Sequence, residues 1–310
     1  MTPESDIKAI VGDGGTLNLG GRSMSLTSLN KVLWPAAGFT KRDMIGYYMS
    51  VANVLLPHLR DRALTLKRAP DGVEGWWWYQ TQCPHPPSWV RTLPVPAASG
   101  GKTWNYCTAE DVAALTWLAN LGCVEFHPLL FRDAAIGTPS AVVFDLDPGS
   151  PAHLIHCCGV ALWLRELLDA RGLIAYCKTS GLAGLHIMVP LNDPCSFTQT
   201  REFAASIATD IGREHANLVV ARRDRAAREG KVLIDWRQNG PYKSLVAPYS
   251  LRLANVPTVS MPISWDEVEV AAARDSPWTL VFVPDDVPAR LERHGDLWRD
   301  CLTMKQSLPQ

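Results

Sequence analysis

Alternating polar and apolar residues in Thr16-Leu17-Asn18-Leu19 and Ser23-Met24-Ser25-Leu26, separated by Gly20-Gly21, predict a β-hairpin within residues 11 to 29. The period then changes. Ile45, Tyr48, Val51, Val54 and Leu55 recur at helical spacing, and Thr40 with Asp43 three places on forms a capping box ahead of them. Ala63 to Lys67 reads as a strand, and a second helix opens at Thr108 with Asp111, carries Val112, Leu115, Trp117 and Leu118, and stops near Gly122. Further along, an apolar strand runs through Ala141-Val142-Val143-Phe144. It is followed by a helix from His153 to Ala170 ending at Gly172, and by strands at Ile174 to Thr179 and Leu185 to Val189 around a glycine-containing turn. A helix over Thr200 to His215 precedes strands at Val232 to Trp236 and Leu245 to Tyr249. Ser264 and Glu267 cap a late helix, and the Pro-rich tail after Pro277 reads as a surface wrap. Strands and helices mix without a strict βαβ rhythm, so the expected class is α+β rather than a doubly wound sheet.

Composition narrows the function only in part. With 310 residues, 47% hydrophobic and 20% charged, the chain has enough apolar residues for a full core. No apolar run reaches membrane-spanning length, and Met1-Thr2-Pro3-Glu4-Ser5-Asp6 lacks a basic segment leading into an apolar one, so the expected location is cytoplasmic with no membrane partner. Eight cysteines without a Cys-x-x-Cys pair are expected to be reduced, mostly buried thiols, with Cys157-Cys158 in a helix interior. A formal charge of −1 argues against coating nucleic acid by bulk attraction, so any such binding must be local. Positive charge clusters at Lys67-Arg68 and at Arg222, Arg223, Arg225, Arg228 and Lys231. That second cluster suits either a phosphate site or a solvated face.

Candidate chemistry begins where the apolar strand runs into Asp145-Leu146-Asp147-Pro148-Gly149. Residues two apart on a strand face the same way, and two carboxylates on one face suit a divalent metal, although a solvated turn or a helix cap would also produce the pattern. A third acid, Asp235, ends the apolar strand Val232-Leu233-Ile234 and precedes Arg237-Gln238-Asn239. Between them, Thr179-Ser180-Gly181-Leu182-Ala183-Gly184-Leu185-His186 offers glycines that allow close backbone approach to a phosphate, and a histidine that opens a buried strand. The order of these parts is more specific than any one of them.

At these positions the chain resembles the polymerase domain of bacterial ligase D, a branch of the archaeo-eukaryotic primase superfamily. The resemblance covers residues 11 to 270 and rests on several blocks in order. These are Leu26 to Pro35, Leu64 to Val73, Trp117 to Asn120, Glu125-Phe126-His127, the Asp145/Asp147 strand, Ser180 to His186, Gly230 to Asn239, and Val246 to Arg252. It implies a primase-polymerase fold, with mixed sheets flanked by helices around a central catalytic sheet. The whole chain, 1–310, is then one domain, with 1–10 flexible, 11–270 the family-like core and 271–310 a C-terminal wrap.

The implied activity is template-directed nucleotidyl transfer at DNA ends, gap filling or extension in double-strand-break repair, with a preference for ribonucleotides and manganese. Asp145, Asp147 and Asp235 would hold two divalent ions, Mn²⁺ or Mg²⁺. His127, Ser180, Gly181, His186, Arg228, Gln238 and Arg252 would surround the incoming NTP or dNTP. Lys31 and Lys41 would take the 5′-phosphate of a gapped duplex or DNA end, with Lys67 nearby, while Trp78 and Tyr79 would stack on bases. Each position also has a plain structural reading, as a solvated lysine, a core aromatic, a turn cap or a buried histidine.

Two departures stand out. Ala183 occupies the place of a family lysine in the Ser-Gly turn, and Thr81 the place of another after the aromatic pair. The chain reads as a stand-alone, nucleoid-associated polymerase working beside a separate DNA ligase and the end-binding protein Ku. The competing readings are a non-catalytic DNA-end bridging module and a metal-dependent phosphoesterase or nuclease using the same acids.

Overall fold

The first alternating segment forms the expected hairpin: β1 (Gly15–Leu19) pairs antiparallel with β2 (Arg22–Leu26), and Leu17, Leu19, Met24 and Leu26 are buried. Gly20 and Gly21 take φ of 55° and 77°, the left-handed values that a two-residue turn between right-twisted strands requires. Short strands β3 (Val32–Trp34) and β4 (Phe39–Thr40) follow as a second antiparallel pair. The computed structural model describes residues 7, 10–97, 100–224, 226–274 and 280–309. The chain divides into two units, Met1–Leu129 with Tyr249–Thr258 and Leu130–Pro248 with Val259–Gln310.

In the first unit, the helical stripe expected after Thr40 is split in two. The Thr40–Asp43 capping box opens helix Lys41–Ser50, but Val51 leaves helical geometry (φ −96°, ψ 5°) before helix Ala52–Leu59 begins. Ser50 Oγ donates to the Tyr47 carbonyl at 2.7 Å, a local bond that competes with helix continuation. Helix Val112–Asn120 is capped by Asp111, whose carboxylate accepts from the Ala114 N–H at 2.9 Å, and not by Thr108.

The five-stranded sheet of this unit contains β5 (Leu64–Arg68), β6 (Trp78–Gln80), β7 (Thr92–Pro96), β8 (Thr103–Cys107) and β9 (Cys123–Pro128). Its order is β6-β5-β8-β7, with β9 also on β5. The pairs Leu66↔Phe126, Lys67↔Glu125 and Thr65↔His127 set the register of β5 on β9. Leu64, Leu66, Val124 and Phe126 are thereby buried, and Lys67, Glu125 and His127 share the other face. One expectation fails here: Cys83 and Cys107 form a disulfide, with Cα atoms 4.8 Å apart. The Cys83 N–H donates to Asn105 O at 2.7 Å, which lays the segment along β8 and brings together two thiols that are 24 residues apart in sequence. Spacing alone does not reveal such a pairing. The six other cysteines are free, five of them buried, with Cys157 and Cys158 inside a helix as expected.

The second unit is built on β10 (Ala141–Pro148), β11 (Tyr176–Thr179), β12 (Leu185–Pro190), β13 (Val219–Val220) and β14 (Val232–Asp235). Short strands β15 (Leu251–Arg252) and β16 (Thr258–Val259) come next in sequence, and β17 (Pro262–Ile263) completes the six-stranded sheet in the order β13-β14-β10-β12-β11-β17. Helix Leu154–Asp169 matches expectation. Helix Phe197–Glu214 starts earlier than expected because Ser196 and Gln199 form a capping box, and the Ser264–Glu267 box opens Trp265–Arg274 as anticipated.

Leu245 to Tyr249 is buried but is not a strand. Pro248 has no N–H for a ladder, and Tyr249 takes φ of 64°. The tail is also more than a surface wrap. Val287–His294 is helical, Arg290 pairs with Glu267, and the buried Trp298 donates from Nε1 to Cys177 O at 2.9 Å. Residues 275–279, including Pro277, and the opening Met1 to Asp6 lie outside the described residues. No helix among the described residues is long and apolar enough to cross a membrane.

Candidate functional site

Strand period decides which side chains leave the core of the second unit. Val142, Phe144 and Leu146 of β10, Leu185, Ile187 and Val189 of β12, and Val232 and Ile234 of β14 join one apolar cluster with helices Leu154–Asp169, Phe197–Glu214 and Trp265–Arg274. The intervening residues therefore face the other way. Asp145 sits directly opposite Asp235 on one side and His186 on the other, with Asp147 two residues along on the same face. The three acids and the histidine are thus brought together by register.

Each acid has a cationic or hydrogen-bonding neighbour. Asp145 Oδ1 lies 3.2 Å from His186 Nε2, and its Oδ2 accepts from Gln238 Nε2 at 3.3 Å. The buried Asp235 is ion-paired with Arg223, and its Oδ1 accepts from the Arg237 N–H at 3.2 Å. Arg228 Nη2 is 3.9 Å from Asp147 Oδ2. Burial, then the charge of Asp145, and then that of Asp235, push the Asp147 carboxyl up to about 6 despite Arg228 and Arg223. Among the described residues, no group of three or more His, Cys, Asp or Glu side chains is drawn close enough to hold a metal ion as the side chains stand. The donor set nevertheless fits a hard divalent cation. It is all carboxylate oxygen, and its mutual repulsion is what a cation would relieve.

Glycines shape the approach to this face. A Cβ on Gly184 would lie 2.0 Å from Leu146 O, and one on Gly149 would lie 2.0 Å from Arg228 O. Glycine at 149 thus lets the Arg228 segment close onto the end of β10, where Gly149 N donates to Lys231 O at 2.8 Å. Ser180 Oγ accepts from the Leu182 and Gly184 N–H groups, both at 3.1 Å, and Gly181 takes φ of 73°. Ser180 therefore organises the turn, and Ala183 is exposed on it.

Two residues that sequence reasoning did not select belong here. Arg223 was visible only as one member of the basic cluster, whose Arg225 lies outside the described residues. Asn239 is buried and replaces a ladder rung. Its Oδ1 accepts from Val143 N–H at 2.9 Å, and its Nδ2 donates to Val143 O at 2.7 Å and to Trp236 O at 2.9 Å, fixing the stretch that carries Gln238. An Asn after a strand-end acid carries no signal that separates it from a turn residue.

His127, Arg252 and Lys67 come together in the first unit, on Glu125. The fully buried Glu125 carboxylate meets His127 Nε2 at 2.7 Å, Lys67 Nζ at 3.2 Å and Arg252 Nε at 3.2 Å, and accepts from the Leu253 N–H at 2.9 Å. Burial pushes Glu125 up, but the His127 hydrogen bond and the Arg252 and Lys67 charges outweigh it and hold the carboxyl well below the usual range. Burial lowers the pKa of His127 against the pull of Glu125.

Lys67 also lies over the rings of Trp77 (4.4 Å) and Tyr79 (5.8 Å), and Tyr79 meets His127 edge-on at 5.6 Å. Tyr79 is 53% exposed, Trp77 44% and Trp76 78%. Trp78 belongs elsewhere: it is half-buried under the Arg68 guanidinium, with Nε1 donating to Gln80. The exposed rings of this run are therefore Trp76, Trp77 and Tyr79, of which Trp77 and Tyr79, two residues apart, share a face with Lys67, while Trp78 turns toward Arg68.

Lys31 and Lys41 are joined through the Lys41 N–H bond to Lys31 O at 2.8 Å. Lys31 Nζ pairs with Asp71 at 2.8 Å. Lys41 is buried and donates to Thr27 O at 2.7 Å. Burial, and then Lys31, lower its ammonium to about 8.

The family described as LigD, primase-polymerase domain, matches residues 40–298 of the chain. A "Multifunctional non-homologous end joining protein LigD" from Mycolicibacterium smegmatis is 36% identical over 275 residues, covering 88% of this chain and 35% of that protein. The "Bifunctional non-homologous end joining protein LigD" of Bacillus subtilis is 32% identical over 275 residues, covering 88% and 43%. The chain thus spans less than half the length of these curated relatives. Among solved structures, the polymerase domain from Mycobacterium tuberculosis Ligase D in complex with DNA superimposes with a TM-score of 0.84 at 34% identity, covering 91% of this chain and 99% of that one. The expected α+β architecture and the resemblance read from the motif blocks both agree with these matches.

Proposed function

Because this chain belongs to the LigD primase-polymerase domain family, a family of metal-dependent nucleotidyltransferases, we propose that it extends or fills DNA ends by template-directed nucleotidyl transfer, with Asp145, Asp147 and Asp235 as its ion-binding carboxylates. The observation that carries this reading is the register: Asp145 and Asp235 face each other across β10 and β14, with Asp147 beside them on the face turned away from the core. Two divalent ions held there, Mn²⁺ or Mg²⁺, would lower the pKa of a primer 3′-hydroxyl and neutralise charge on a triphosphate.

The chain's own groups do the remaining work. His186 and Gln238 hold the two oxygens of Asp145. Arg228 and Arg223 carry guanidiniums beside the acids, and these suit triphosphate oxygens as charge develops. Ser180 and Gly181 shape a turn whose close approach suits a phosphate. On the first unit, His127, Arg252 and Lys67 form a Glu125-anchored set of donors for nucleotide or strand phosphates, with Trp77 and Tyr79 as a stacking surface. Lys31 and Lys41 are assigned to a recessed 5′-phosphate, which would select DNA ends without reading bases. Ribonucleotide and manganese preference, and cooperation with Ku and a separate ligase, follow from the family resemblance.

Primer extension on a gapped, 5′-phosphorylated duplex tests the reading, with ribo- and deoxynucleotides and with Mn²⁺ against Mg²⁺. The primer should lengthen with nucleotide. Asp145→Ala or Asp235→Ala should abolish extension while leaving DNA binding. A primer that shortens without nucleotide would instead indicate hydrolysis, and end bridging that persists with no extension in the unaltered protein would indicate a binding module.

A further inference from the structure

Four neighbouring strands place Asp235, Asp145, His186 and Lys178 in one row, through the pairs Asp145↔Asp235, Asp145↔His186 and Lys178↔His186. Lys178, at the far end of the row from Asp235, is completely buried, an expensive position for an ammonium. Its Nζ lies 2.7 Å from His186 Nδ1, bonds Ser260 Oγ, and sits 5.7 Å from the centre of the Trp298 ring. The Ser260 hydroxyl proton is committed to Thr179 O at 2.8 Å, so Ser260 accepts from Lys178. With its Nζ protonated, Lys178 has donors only and therefore donates to His186 Nδ1 as well. The imidazole proton then resides on Nε2, the nitrogen 3.2 Å from Asp145 Oδ1.

We infer that Lys178 is a positioning residue that fixes His186 as its Nε2–H tautomer and, through it, aims a hydrogen bond at Asp145 Oδ1. Asp145 is then held from both sides, by His186 on Oδ1 and by Gln238 on Oδ2. An ion-binding carboxylate needs this kind of support, because an unsupported one rotates and loses its aim. The tautomer follows from local hydrogen bonding around a protonated Lys178, while its consequence for ion binding rests on the function proposed above.

Lys178→Met keeps the straight chain and removes the donor, leaving the buried His186 Nδ1 without its partner. A lower unfolding midpoint is therefore expected for any role of this lysine, and the test is read on the tautomer and on ion affinity instead. The test uses full-length Lys178→Met and wild type. Imidazole nitrogen NMR without ions, with His186 assigned from a His186→Asn variant, should show a single Nε2–H tautomer in wild type and its loss in Lys178→Met. Mn²⁺ affinity, measured by titration without nucleotide on protein shown to be folded by circular dichroism, should fall about 10- to 100-fold. A wild-type Nδ1–H tautomer, or an unchanged tautomer in Lys178→Met, overturns the inference. So does a changed tautomer with unchanged Mn²⁺ affinity, provided Asp145→Ala does abolish ion binding. If Asp145→Ala binds Mn²⁺ like wild type, the proposed ion site fails, and the NMR result still decides the tautomer.

Discussion

Asp235 lies directly across from Asp145 on the neighbouring antiparallel strand, yet its carboxylate is engaged by the Arg223 guanidinium. Like charges placed opposite each other repel, and Arg223 offsets this at the most buried of the three acids. A cation entering the row must compete with Arg223 for Asp235. Arg223→Ala should therefore destabilise the ion-free protein by about 1–3 kcal/mol, the cost of leaving a buried acceptor unpaired. Added Mn²⁺ should recover more stability in the variant than in wild type. Thermal unfolding with and without Mn²⁺ measures both, and equal Mn²⁺ shifts in the two proteins would refute the competition.

Asp147 supplies a pH dependence. Burial and the neighbouring Asp145 raise its pKa from the ordinary 3.8 to about 6, so between these values the folded protein binds the proton more tightly than the unfolded chain. Stability contributed by this group then falls as pH rises through the window, and the loss is complete above it. Asp147→Asn cannot ionise and should escape that fall. In urea titrations without divalent ions, the variant should gain on wild type as pH rises from about 4 to about 7, with the gap closing at the acid end. A constant difference across that range would show that Asp147 does not titrate there.

Glu125 behaves in the opposite sense. The His127 hydrogen bond and the charges of Arg252 and Lys67 outweigh burial and hold the folded pKa below the ordinary 4.5, so its contribution is present above that value and is lost as pH falls below it. Glu125→Gln leaves Lys67 and Arg252 buried without their shared counter-charge, and breaking such a set by removing one member costs about 3–5 kcal/mol. The loss should be full at neutral pH and should shrink in acid. Denaturant unfolding at both pH values checks it.

The sequence revealed the parts of the site that depend on strand period. Asp145 and Asp147 alternate with Val142, Phe144 and Leu146, and that pattern suffices to place both acids on the polar face. Capping boxes at Thr40 and Ser264 were equally legible, because their partners lie three residues away. Contacts between distant segments were not. Arg223 on Asp235, the Asn239 rung on Val143 and the Cys83–Cys107 bridge depend on how segments pack, which no local spacing encodes. The break at Val51 was hidden for a different reason: its apolar side chain keeps the helical stripe while its backbone leaves the helix.

The aromatic run Trp76-Trp77-Trp78-Tyr79 divides between rings exposed beside Lys67 and a ring packed on Arg68. Trp77 and Tyr79 share a face with Lys67 beneath them, whereas Trp78 is turned against Arg68 and shields its guanidinium. Base stacking on an exposed aromatic is worth about 1–3 kcal/mol by alanine substitution and tolerates any sequence, because every base has a π-face. Trp77→Ala and Tyr79→Ala should each weaken binding of a fluorescent single-stranded overhang by about 5- to 150-fold, regardless of overhang sequence. Trp78→Ala removes packing from Arg68, so its effect should appear in the unfolding midpoint while DNA affinity stays within about threefold, a margin below the 1 kcal/mol floor for stacking. Anisotropy titrations on all three variants decide the matter. A larger affinity loss for Trp78→Ala than for Trp77→Ala would mean that the adjacent pair, rather than the alternating one, faces the nucleic acid.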